Sequence, residues 1–314
     1  MTTSARRTVA LTAASALLLA GCGSSGDDAA AADGVGVVAA FYPLQWAAER
    51  VGGDRVDVTS LTPPGAEPHD LELTPQDVAT VAGTDLLVYL EGFQPALDDA
   101  AAEAGDAAWD AGQAADLSLT AEPHGHEGET EEEHAEHAGE EAVDPHFWLD
   151  PTRLADVGDA LADRLAEVDP DGAATYEENA AALRADLEAL DAEVQQGLAD
   201  CAVRTMVTAH DAFGYLADRY GLEVVGITGL SPSSEPSAAQ LAEISALVRE
   251  QGVTTVYTET LVDPAVAETV AGEAGVQTAV LDPLEGLTDE SAGVDYLEVM
   301  RADLATLRAG QSCT

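Results

Sequence analysis

Arg55-Val56-Asp57-Val58-Thr59-Ser60-Leu61 alternates like a strand and runs straight into Thr62-Pro63-Pro64-Gly65-Ala66-Glu67-Pro68-His69-Asp70, a loop dense in turn formers. Thr74-Pro75 then opens a helix, with proline in its first turn and Asp77 close behind, and Asp85 to Leu90 returns as a short apolar strand. Strand, loop, helix, strand is a βαβ unit, which implies a parallel sheet with helices on its faces. His69 therefore falls beyond the carboxyl end of a strand, where open α/β sheets bind ligands.

The same alternation extends outward in both directions. Val35 to Ala40 is a buried strand, followed by Tyr42-Pro43 and a helix through Arg50. Ahead of it, residues 1–21 carry Arg6-Arg7, an apolar run from Val9 to Ala20 and Gly21. That run is too short to cross a bilayer, and its flanks are those of a secretory signal peptide. Residues 22–34, rich in Gly, Ser, Ala and Asp, read as a flexible tether.

Downstream, the composition shifts sharply at 122–141, where nine Glu and His124, His126, His134 and His137 fall within twenty residues. No hydrophobic period runs through this stretch, so it reads as a loop inserted into the first lobe. Imidazole and carboxylate are both zinc ligands, which makes the loop an auxiliary metal collector; a solvated acidic loop with incidental histidines is the bland alternative. Asp144-Pro145-His146-Phe147-Trp148-Leu149-Asp150-Pro151 follows, with His146 held between prolines just ahead of a helix over 152–168. A positive helix end opposes a cation, so Asp144 and Asp150 are candidates for orienting or screening His146.

Ala173 to Ala199 carries Ala180, Leu183, Leu187, Leu190 and Val194 at helical spacing, with no Gly or Pro before Gly197. It predicts one long linker helix (173–200) between an N-terminal lobe (35–172) and a C-terminal lobe (201–314). In the second lobe, strands are expected at Arg204–Ala209, Leu222–Ile227, Val253–Thr258 and Val276–Leu281, with helices at Ser237–Glu250 and Pro264–Ala274. His210 and Asp282 thus stand at strand ends as His69 does, and two facing lobes would gather all four residues in one cleft. Glu259, Asp70 and Asp211 are further carboxylates placed to support that cleft. The fold class is α/β, with two lobes, each a parallel-type sheet flanked by helices, joined by one long rigid helix.

Composition limits the partners. Against 59 acidic residues there are 12 basic ones, all Arg, and the formal charge is -47, which disfavours a nucleic-acid or anionic-membrane surface and favours cations, although a generally acidic, Ala-rich proteome would give the same balance with no bearing on function. The 46% hydrophobic content fits a folded chain. Outside residue 22 the cysteines are Cys201 and Cys313, which in an extracytoplasmic compartment are expected to pair; thiolate metal ligation is the weaker alternative.

Leu19-Ala20-Gly21-Cys22 resembles the bacterial lipobox, which implies cleavage before Cys22 and its lipidation. From Val35 onward the chain resembles the extracytoplasmic solute-binding lipoproteins of zinc and manganese ABC importers, in the zinc-type branch. The resemblance rests on Glu67-Pro68-His69-Asp70, on Asp144 to Asp150, on Thr208-Ala209-His210-Asp211-Ala212-Phe213, on Ser231 to Leu241 and on Leu281-Asp282-Pro283-Leu284. It implies His69, His146 and His210 as nitrogen ligands and Asp282 as the carboxylate. It further implies Zn²⁺ as the transported ion, an ABC permease with a cytoplasmic ATPase as partner, a monomeric receptor, and lipid anchoring outside the cell membrane.

Three imidazoles and a carboxylate suit four-coordinate Zn²⁺, whereas manganese prefers more oxygen ligands. Other readings of the same residues are a manganese-type receptor, a secreted zinc hydrolase, or a surface metal buffer or adhesin. No His-Glu-x-x-His pattern accompanies the histidines, so a receptor rather than an enzyme is expected.

Overall fold

The computed structural model describes residues 34–120 and 142–314. The signal segment 1–21, Cys22 with all but the last residue of its tether, and the loop 122–141 with His124, His126, His134 and His137 lie outside the described residues.

The first lobe is built on strands β1 (Val35–Ala39), β2 (Val56–Ser60), β3 (Leu86–Tyr89) and β4 (Ala108–Asp110). All are parallel, in the order β2-β1-β3-β4. Helices α1 (Tyr42–Gly52), α2 (Pro75–Gly83) and α3 (Pro95–Ala104) connect them, and the single turn α4 (Gly112–Ala115) follows β4. Proline opens α2 as expected, and Thr74 and Asp77 form a reciprocal capping box there, satisfying donors the helix leaves open.

After the crossing segment come α5 (Pro151–Val168) and the linker helix α6 (Ala173–Leu198). The second lobe repeats the design with β5 (Thr205–Thr208), β6 (Glu223–Gly226), β7 (Thr255–Thr258) and β8 (Gln277–Val280) in the order β6-β5-β7-β8, again all parallel. Its helices are α7 (Gly214–Tyr220), α8 (Ala238–Gln251), α9 (Ala265–Ala274) and α10 (Tyr296–Gly310). Helices α7, α8 and α9 each stop on a left-handed glycine, Gly221, Gly252 and Gly275, a conformation that side-chain-bearing residues resist.

The long helix buries one stripe, Tyr176, Ala180, Leu183, Leu187, Leu190, Val194 and Leu198, at steps of three or four. That stripe joins a core continuous from Val37 and Leu87 of the first sheet to Met206 and Tyr257 of the second. On the far face of the second sheet a separate core forms around Val207, Val256, Ile244 and Val270. Met206 and Val207, or Tyr257 and Val256, point to opposite cores because successive strand residues alternate faces. The linker helix is pinned by arginines from three helices: Arg50 of α1 to Asp186 (2.5 Å), Arg219 of α7 to Asp191 (2.7 Å) and Arg301 of α10 to Glu193 (2.8 Å). A Cys201–Cys313 disulfide ties the entrance of β5 to the tail after α10.

Candidate metal centre

Each sheet reverses its strand order beside its first strand, between β1 and β3 in one lobe and between β5 and β7 in the other. Loops leaving the strands at such a point diverge and open a crevice. His69 stands in a short 3-10 turn after β2, in which Glu67 accepts the His69 backbone N–H at 3.0 Å. Buried Gln94 steadies this loop, donating to Pro68 O (3.0 Å) and to Thr62 Oγ1 (3.2 Å). His210 follows β5 directly, and Glu259 follows β7. The two meet across the second switch point, where Glu259 accepts from the His210 backbone N–H at 3.0 Å and lies 2.6 Å from Nδ1.

His146 lies between the prolines, ahead of a turn over Phe147–Leu149, and is fully buried. Asp144 Oδ1 accepts its backbone N–H at 2.9 Å and sits 2.8 Å from its Nδ1. Asp150 instead caps α5, accepting from Thr152 N–H at 2.9 Å.

These supports settle which ring nitrogen faces inward. With Nδ1 donating to a carboxylate, Nε2 of His146 and of His210 is left as the inward-facing nitrogen. Nε2 of His69, His146 and His210 converge on one oxygen, Oε1 of Glu285, at 3.3, 3.2 and 3.2 Å. His69 and His146 Nε2 are themselves 3.3 Å apart. All four ligand atoms lie within 4.8 Å of one another. A tetrahedron with Zn–N bonds of ~2.0–2.1 Å has edges of about 3.3–3.4 Å, and the four separations of 3.2–3.3 Å match it.

The sequence expectation for the carboxylate is corrected here. Asp282 does not reach the histidines: its Oδ1 accepts from Leu284 N–H (2.9 Å) and its Oδ2 from Ser291 Oγ (3.2 Å). The chain turns once more after β8 and delivers Glu285. The only sequence signal for Glu285 was its place three residues past Asp282, behind an equally plausible carboxylate. Asp70 is exposed at the end of its turn, and Asp211 donates its N–H to Gly229 O at 3.1 Å; neither belongs to the four-residue group.

Burial sharpens the electrostatics. Burial alone would lower the His210 pKa, but Glu259 and Glu285 outweigh it and hold the ring well above the ordinary imidazole value. His146 is raised against the same burial by Asp144 and Glu285. At His69 burial prevails over Glu285, and its pKa is lowered. Glu285, despite complete burial, is held well below the carboxylate range by His210 and the other two rings. Glu67, half-buried near Glu285, is pushed up to about 8, chiefly by desolvation and then by that like charge. Phe93 lies edge-on to His69 (4.6 Å between ring centroids) and Trp148 against His146 (5.2 Å), walling the cluster with apolar rings. Such a centre takes a cation into a dry, acceptor-rich cage, be it protons on the rings or a metal ion.

Fold and site together define a two-lobed α/β binding protein with a cation cage in its interior. The profile of the family "Zinc-uptake complex component A periplasmic" matches residues 37–310, and the chain belongs to this family. The high-affinity zinc uptake system protein ZnuA of Bacillus subtilis is 36% identical over 310 residues, covering 94% of both chains. The zinc-binding lipoprotein AdcA of Streptococcus pneumoniae is 38% identical over 288 residues, 88% of this chain. The chain spans about half the length of that relative, 56% of it. Among solved structures, the Zn(II)-bound ZnuA-like domain of S. pneumoniae AdcA superposes with a TM-score of 0.71 at 34% identity, covering 88% of this chain and 99% of the domain. The laminin-binding protein Lmb of Streptococcus agalactiae, described as a bifunctional protein with adhesin and metal-transporting activity, gives 0.74 at 32% identity, covering 88% and 100%.

Proposed function

We propose that the protein is an extracytoplasmic Zn²⁺ receptor that captures zinc with His69, His146, His210 and Glu285 and hands it to an ABC-type permease driven by a cytoplasmic ATPase. The observation that carries this reading is the convergence of three imidazole Nε2 atoms on one carboxylate oxygen at tetrahedral-edge distances. Family membership and the zinc-bound relative support the choice of metal. Four protein groups fill four vertices and leave none for an activated water, which favours a receptor over a hydrolase. One carboxylate against three imidazoles favours zinc over manganese.

In this reading zinc is cargo. Asp144 and Glu259 keep the Nδ1 protons of His146 and His210 pointed away from it, and Glu285 brings a negative charge to a largely buried site. Lipidation at Cys22, with residues 1–21 removed and 22–34 as tether, would hold a monomeric receptor at the outer side of the cell membrane; the lipobox carries that part. Lobes at 35–172 and 201–314 would share the cage, and the 122–141 loop would collect zinc at weaker sites of its own.

Metal analysis and calorimetric titration test the assignment. Purified protein is expected to bind one tight equivalent of zinc, and the His146→Ala/His210→Ala double variant to lose it. Undiminished tight binding in that variant would overturn the reading. Deleting 122–141 is expected to remove only additional weaker sites.

A further inference from the structure

The turn that delivers Glu285 is the least relaxed piece of backbone near the cage. Leu284 has φ of +59°, the left-handed region that a branched side chain resists, yet it is fully buried with no glycine in its place. Something must hold it there. Asp282 Oδ1 accepts the Leu284 N–H at 2.9 Å, closing the local side-chain-to-backbone turn that aspartate favours. Asp282 is fixed in turn: its own N–H donates to Asp303 Oδ1 of α10 at 3.0 Å, and its Oδ2 accepts from Ser291 Oγ at 3.2 Å. Between the two, the Pro283 carbonyl accepts from Trp148 Nε1 at 2.8 Å, and Tyr296 donates to the Trp148 carbonyl at 2.5 Å. Trp148 stands two residues after His146, so this bond fastens the histidine segment to the glutamate segment directly.

We infer that Asp282 is a positioning residue for the metal carboxylate, holding Leu284 in its left-handed conformation so that Glu285 Oε1 stays at the focus of the three imidazoles. This deepens the zinc-receptor reading and rests on it. Asp282 then acts on the ion only through Glu285. Were Leu284 to relax to negative φ, the following peptide would rotate and carry Glu285 out of the cage. The role asks for an acceptor atom at the Asp282 Oδ1 position and does not ask for a charge.

A double-variant cycle read with zinc and with Co²⁺ tests this. Zinc affinity comes from competition with a chromophoric chelator, and the intensity of the visible Co²⁺ bands reports four-coordinate geometry. Asp282→Ala is expected to weaken zinc about 10- to 100-fold, as loss of a ligand's supporting partner does, and to shift the Co²⁺ spectrum toward that of Glu285→Ala. Asp282→Asn retains the acceptor and is expected to bind as the parent does. Asp282→Ala/Glu285→Ala is expected to be no weaker than Glu285→Ala alone. Additive losses in the double variant would overturn the assignment, because a merely structural residue behaves that way. So would an Asn variant as weak as the Ala variant, or an Ala variant with the parent's affinity and spectrum. If the Ala variant does not fold, Asp282→Ser, whose hydroxyl accepts the same N–H more weakly, takes its place in the cycle, and additivity or parent-like binding there overturns the assignment in the same way. A parent protein that fails to bind zinc, or a Glu285→Ala variant indistinguishable from it, would instead overturn the cage itself.

Discussion

The two lobes bring side chains to the cage by different means. In the first lobe, His69 and His146 ride on proline-rich segments with no more than a short 3-10 turn, and their neighbours hold them: Glu67 and Gln94 for the one, Asp144 for the other. In the second lobe, His210 follows the end of β5, and Glu259 follows the end of the adjacent β7 and grips it with both oxygens. Asp144 manages its two contacts with a single oxygen. The second lobe is also the one closed by a covalent bond, between Cys201 and Cys313. Where strands aim a side chain, one backing carboxylate is enough. Where loops aim it, prolines and a network of side chains do the work of the sheet.

The largest effect that would test this contrast concerns the bond that closes the second lobe. Replacing Cys201 and Cys313 with serine opens a loop of 112 residues and is expected to lower unfolding stability by about 5 kcal/mol on the chain-entropy view, read by denaturant titration. Zinc affinity in the remaining folded protein should be unchanged; a matching loss of affinity would mean that the second-lobe ligands depend on the bond as well as on the strands.

Next comes the pair of backing carboxylates. Glu259→Ala and Asp144→Ala are each expected to weaken zinc by about 10- to 100-fold, with the Glu259 variant the weaker. In both, a buried ring nitrogen and a buried backbone N–H lose their acceptor, but at Glu259 two oxygens and the 2.6 Å contact go together. Equal losses would dissolve the contrast between strand-held and loop-held ligands.

Proton competition should be smaller but directional. His146 and His210 have pKa values raised above the ordinary imidazole value, so each keeps its proton at pH values where a free histidine has lost it. Zinc must displace those protons. Competition is therefore present below the raised values and fades as pH rises through them, so affinity should still be climbing above pH ~6.5. Calorimetry in buffers of different ionisation enthalpy should show net proton release near neutrality, and affinity that is flat from pH ~6.5 upward would contradict the raised values. The smallest effect belongs to the linker helix: Arg301→Ala, which removes an exposed pair with Glu193, should cost about 0.2–1 kcal/mol of stability and leave zinc binding alone.

The repeating βαβ pattern was legible because its strands are short apolar runs bounded by Gly, Pro and Asp, and because the long helix shows an unbroken apolar stripe. Strand β4 was not legible: Ala108-Trp109-Asp110 is too short to show any period, and pairing with β3 makes it a strand. No element was expected past Leu281, yet Tyr296–Gly310 is a helix that supplies Asp303 to the turn before Glu285 and Tyr296 to the Trp148 carbonyl beside it. The three histidines could be read because each sits beside a strand end or between prolines. Glu285 could not, because its position hangs on the φ of Leu284, which no local preference favours and only Asp282 and its neighbours make tolerable. The carboxylate one would pick from position alone turns out to hold the backbone.

His69 and Glu285 are 216 residues apart in sequence, with His146 and His210 between them. The ordering entropy of gathering such distant groups falls on the folding reaction and not on the ion, which meets a chelator already assembled. The reverse also holds. An ion at this centre would also tie together two-thirds of the chain, so zinc should raise the unfolding midpoint of a protein already folded without it, and the size of that shift would report how intact the cage is.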